Sequence, residues 1–101
     1  MFAPHKYYEH NRLNFEHEQY LFRFQNNFGA SVIRTSGFWE LAVLVFTGDD
    51  YNLTYSTPIT DGVLGHLTEA DVVETLTGIS QLNQTPTWNQ LRAAYRSRHP
   101  I

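Results

Sequence analysis

Phe38-Trp39-Glu40-Leu41-Ala42-Val43-Leu44-Val45-Phe46 is the stretch whose reading decides the fold. Every odd position is apolar, and among the even positions only Glu40 is not. A strand apolar on both sides belongs in the interior of a sheet, with material packed on each face. The flanking residues alternate as neighbouring strands should. Tyr20, Phe22 and Phe24 interleave with Leu21, Arg23 and Gln25, and Tyr51, Leu53 and Tyr55 with Asn52, Thr54 and Ser56.

Turn signals separate these runs. Asn26-Asn27 with Gly29, Ser36-Gly37 and Gly48-Asp49-Asp50 are residues that accept positive φ or bond their own backbone. Short turns make neighbours antiparallel, so the expected sheet is a four-stranded meander over 20–25, 30–35, 38–46 and 51–57. Pro58 ends the last strand, and Gly62 and Gly65 are read as a bend leading away from the sheet. Residues 1–19 show neither period and are expected to be an irregular lead-in whose aromatics rest on the sheet.

A helix over 68–82 follows. Thr68 as N-cap puts Asp71 at N3 for a capping box, and Leu67 faces Val72 in a hydrophobic staple. Val72, Leu76 and Ile79 make the stripe that should lie on the sheet. Gly78 costs such a helix about 1 kcal/mol against Ala, which a close approach there would explain. A linker over 83–86 precedes a second helix over 87–97, with Trp88, Leu91 and Tyr95 as its apolar stripe. The fold class is therefore α+β: one domain over 1–84, and a helical extension over 85–101. One helix covers one face of the central strand. The other face falls to the aromatic lead-in, to the Trp88/Tyr95 helix, or to another protein.

The 101 residues include fifteen Phe, Tyr and Trp (seven, six and two) and no Cys, so a core of large side chains is available and disulfides and thiolate metal sites are excluded. No apolar run is long enough to span a bilayer, and no signal-peptide pattern is read at the start. The net charge of −3 is unevenly spread. Residues 35–84 hold Glu40, Asp49, Asp50, Asp61, Glu69, Asp71 and Glu74 and no Lys or Arg, whereas 85–101 holds Arg92, Arg96 and Arg98 and no acid. Such segregation points to electrostatic partners.

The residues offer three chemistries. His5, His10 and His17 beside Glu9, Glu16 and Glu18 are a metal-ligating set by type, but lack the i, i+4 spacing of a helical zinc motif. Asp61 and His66 flank the glycines of the bend, without any nucleophile, phosphate-loop or dinucleotide motif. Arg92, Arg96 and Trp88 could meet phosphates and bases, yet so few cations on an acidic chain speak against nucleic acid.

The segments Phe28-Gly29-Ala30-Ser31-Val32-Ile33-Arg34, Trp39-Glu40-Leu41-Ala42-Val43-Leu44, Leu53-Thr54-Tyr55-Ser56-Thr57-Pro58-Ile59-Thr60-Asp61 and Val63-Leu64-Gly65-His66-Leu67, with Thr68-Glu69-Ala70-Asp71-Val72, together resemble a family of small phage- and prophage-encoded proteins. Phe2-Ala3-Pro4-His5 is similar to an opening seen in that group. The resemblance spans about 20–82. It departs at Gly62, where members commonly carry an acid, and it leaves the segment from 87 onward outside. It implies a setting in the cytoplasm of an infected bacterium and supplies no catalytic residues and no cofactor.

The expectation is a non-enzymatic phage accessory protein that binds a host or defence protein. Its surfaces would be the acidic helix start (Glu69, Asp71, Glu74) and the second helix (Trp88, Arg92, Arg96). The alternatives are a small metal protein or enzyme using the early histidines, and a homodimeric assembly protein joined by sheet edges or the second helix.

Overall fold

The strand Phe38–Thr47 is the longest among the described residues and lies inside its sheet, as the two-sided apolar run requires. A computed structural model describes residues 2–13, 17–60 and 62–82. In chain order its elements are β1 (Glu9–Arg12), β2 (Glu18–Arg23), β3 (Phe28–Thr35), β4 (Phe38–Thr47), β5 (Asp50–Leu53), β6 (Leu64–Leu67) and α1 (Glu69–Ser80). All pairings are antiparallel. The result is an α+β domain, with more strands than the meander expected from sequence.

The turns follow their residues. Ser36 and Gly37 both have positive φ (47° and 85°), as a two-residue I′ hairpin between β3 and β4 demands. Gly48, at φ 61°, opens the turn into β5. Asn27 takes φ 67° between β2 and β3, and the Asn26 carboxamide oxygen accepts from the Phe28 amide at 3.0 Å.

Two strands correct the reading of the sequence. The lead-in is not irregular throughout: β1 pairs with β2 from Glu9↔Leu21 to Arg12↔Glu18. The bend at Gly65 does not leave the sheet either. β3 occupies one edge of β4 over almost its whole length, so β5 and β6 share the other. β5 pairs with Leu44–Thr47 and β6 with Trp39 and Leu41, so the two are one interrupted edge strand. Leu64 lies opposite Leu41 and Leu67 opposite Trp39, three residues against two. This bulge has His66 at φ 54°.

The expected strand over 51–57 runs out just past Leu53: the Thr54 amide still donates to the Val43 carbonyl at 2.9 Å, and beyond it Ser56 bonds locally. The Ser56 amide donates to the Thr54 hydroxyl at 3.4 Å, and the two hydroxyls lie 3.2 Å apart.

The core lies between α1 and one face of the sheet. Val72, Leu76 and Ile79 meet Phe22, Ala30, Val32, Leu41, Val43 and Val45, all buried. Gly78 has the close approach its presence suggested, since a Cβ there would stand 3.2 Å from Ile59 Cδ1. Phe2 enters the same core, with its ring edge-to-face against Tyr20, Phe22 and Trp39 at 5.4, 5.7 and 4.8 Å. This aromatic of the lead-in therefore packs on the helix side. The expected helix over 87–97, with Trp88, Arg92 and Arg96, lies outside the described residues.

Candidate binding groove

Strand alternation sends Glu40, Ala42, Leu44 and Phe46 to the face of β4 away from α1. On β3 the same face receives Gly29, Ser31 and Ile33, and on β2 it receives Gln19 and Leu21. Register then brings Ser31 directly opposite Ala42. Two small side chains facing each other leave a dip, and their neighbours Ile33, Leu44, Leu53 and Val63 form its apolar walls. The polar lining is Gln19, Ser31, Glu40 and Tyr51, and the volume is about 330 Å³. Mostly apolar concavities with a few placed polar groups are the usual form of binding sites.

The polar floor is internally held. Asn11 Nδ2 donates to Gln19 Oε1 at 3.1 Å, and Gln19 Nε2 donates to Ser31 Oγ at 3.0 Å. That chain fixes the Gln19 amide and satisfies the buried Ser31 hydroxyl. Glu40, at one end, is exposed and forms no ion pair with any described residue. At the other end Phe46 is closed off by the Arg23 guanidinium 4.8 Å above its ring, with Tyr51 and Tyr8 at 5.4 and 6.1 Å. Tyr51 and Val63 are exposed at the rim.

The other two described arginines are engaged elsewhere. Arg34 covers the Trp39 ring at 5.7 Å, and Arg12 donates to Glu18 Oε1 at 3.2 Å. The described arginines thus lie on β1, β2 and β3, while the described acids of 35–82 lie on β4, β5, their turn and α1.

Glu18 gathers one of the lead-in histidines. His10 stacks on Tyr20 at 4.3 Å, with its Nε2 at 3.8 Å from Glu18 Oε2, which also accepts from the Tyr20 hydroxyl at 3.2 Å. The Arg12 hydrogen bond, then that of Tyr20, hold the Glu18 carboxyl below the usual range. Burial, then Glu18, push the Tyr20 phenol up. His5 is elsewhere, its Nε2 at 2.9 Å from Thr77 Oγ1 on α1. Among the described residues no group of three or more His, Asp or Glu side chains is placed to hold a metal ion. His66 packs against the Phe38 ring at 5.5 Å, and its expected companion Asp61 is outside the described residues.

Glu69, Asp71 and Glu74 are exposed on α1, across the sheet from the groove. Asp71 completes the capping box: its Oδ2 accepts from the Thr68 amide at 3.0 Å, and its own amide donates to Thr68 Oγ1 at 3.2 Å. The Thr68 backbone bond is the main reason the Asp71 carboxyl sits below its ordinary range. Reasoning from sequence missed Ser31, Ala42 and Val63 as groove residues. The available signal was Glu40 beside small Ala42 in an otherwise bulky apolar strand.

No protein-family model, curated protein or solved structure matches this chain. Among the described residues no helix is long and apolar enough to cross a membrane.

Proposed function

We propose that this protein works without catalysis, by holding a segment of another protein in the groove on the helix-free face of its sheet. The observation that carries this reading is the dip at Ser31 and Ala42, walled by Ile33, Leu44, Leu53 and Val63 and ending at the Glu40 carboxylate, which has no ion-pair partner among the described residues. The matching ligand is an apolar stretch that brings a Lys or Arg to Glu40. Resemblance to small phage proteins favours a host or defence protein as the target, in the cytoplasm of an infected bacterium. Glu69, Asp71 and Glu74 lie too far round the molecule to line the same site, and act by steering a basic partner at long range.

The test compares capture from host lysate by the parent, by Ala42→Arg and by Glu69→Lys/Glu74→Lys, each first shown to be folded by circular dichroism. A partner kept by the parent, lost by Ala42→Arg and bound more slowly by the helix double variant supports the reading. Equal retention by Ala42→Arg overturns it.

A further inference from the structure

We propose that the Glu40 end of the groove reads an arginine side chain of the partner, with the Phe38 and His66 rings as its stacking surface. The inference rests on the groove being the binding site and adds which cation that site selects. Three observations carry it.

The first is the placement of three side chains. Phe38 and Glu40 lie two residues apart on the groove face of β4, opposite Thr35 and Ile33 of β3. Their separation along the strand is about 7 Å. Phe38 is 46% exposed, although it belongs to the strand that supplies much of the core. The His66 ring meets it edge-to-face, with 5.5 Å between centroids and 72° between planes. His66 arrives there through the β4–β6 bulge, at a φ of 54° that few residues other than glycine adopt. Bulges re-aim side chains beside binding and active sites, and a backbone held in an outlying conformation points the same way.

The second is what the other rings of β4 carry. The Arg34 guanidinium lies over Trp39 at 5.7 Å, and that of Arg23 over Phe46 at 4.8 Å. Phe38, the third ring of the strand, has no cation over it among the described residues. Glu40, its neighbour on the same face, forms no ion pair with them either. Residues 35–84 contain no Lys or Arg that could supply one.

The third is chemistry. A guanidinium is planar, donates two parallel hydrogen bonds to one carboxylate and stacks on aromatic faces, whereas an ammonium is a strongly hydrated point charge. A carboxylate beside an open ring therefore selects arginine over lysine. Stacking at an exposed ring contributes about two- to fivefold in affinity, and the paired hydrogen bonds add to it. The apolar stem of the same side chain runs toward Ala42 and Val63, at the mouth of the dip.

The probes are hexylguanidinium and hexylammonium, matched in charge and apolar chain, titrated into the full-length protein and followed by methyl and aromatic NMR. Ligands of this size bind on the order of millimolar. The proposal expects both to shift Ala42, Leu44 and Val63, with hexylguanidinium at least about fivefold tighter and alone in moving the Phe38 and His66 ring signals. Glu40→Gln should weaken both. Phe38→Ala should bring the two dissociation constants within about twofold of each other, as should His66→Asn, which tolerates the positive φ. All three side chains are exposed, and circular dichroism checks that each variant is folded. No saturable shift with either probe, equal affinities in the parent, or a guanidinium preference that survives both ring substitutions overturns the inference. Equal affinities with capture still lost in Ala42→Arg remove the arginine selectivity alone. A guanidinium preference with capture unaffected by Ala42→Arg removes the groove as the partner site instead.

Discussion

Phe2 offers the sharpest check on how the sheet and its lead-in are joined. Its side chain is 1% exposed and meets three aromatic rings edge-to-face. The local chain is held twice more, by the His5 amide donating to the Phe2 carbonyl at 2.8 Å and by the His5–Thr77 contact to α1. Truncating a buried Phe to Ala costs about 3–5 kcal/mol, including the cavity it leaves. Edge-to-face ring pairs place the expectation in the upper part of that range. A domain of this size loses roughly 4–8 °C of Tm per kcal/mol, so even 3 kcal/mol lowers Tm by about 12–24 °C. Urea melts followed by tryptophan fluorescence suit the measurement, because Trp39 touches the Phe2 ring. Phe2→Leu, which keeps an apolar group in place, should cost less. A Phe2→Ala protein within about 1 kcal/mol of the parent would refute the placement of this ring in the core.

Two further predictions concern packing and charge. A Cβ at Gly29 would collide with the Phe22 carbonyl oxygen and stand 2.6 Å from Phe46 Cε2, so Gly29→Ala should cost at least about 3 kcal/mol in a chemical melt, although alanine is ordinarily harmless in a strand. The Glu18 carboxyl sits below its unfolded value, so its contribution is present above the ordinary carboxylate range and is lost as pH falls through the folded value. Glu18→Gln should therefore flatten the acid limb of stability against pH and leave the limb above neutrality unchanged, as read by melts at a series of pH values.

Much of the fold was legible because local and global preferences agree. The two-sided apolarity of β4, the positive-φ residues of the hairpins and the Thr68/Asp71 box each act within a few residues, and each appears where the sequence puts it. β1 was hidden because Glu-His-Asn-Arg is an edge strand exposed along most of its length, so no period marks it. β6 was hidden by its bulge: the extra residue puts Leu64 and Leu67 opposite Leu41 and Trp39 at a spacing that is not the strand's. The groove needed more than pattern. Its floor exists only because the β3–β4 register sets Ser31 against Ala42, and its outer wall is Val63, from the loop that interrupts the edge strand. The acidic helix start was visible, but Asp71 there serves the cap.

The central claim is that the helix-free face is where a partner docks. Its most direct test is methyl NMR of the isotope-labelled protein titrated with the partner recovered by the parent chain. The account predicts that Ile33, Ala42, Leu44, Leu53 and Val63 shift together and saturably, while Val72, Leu76 and Ile79 stay in place. Shifts concentrated on α1, with the groove methyls unmoved, would contradict it.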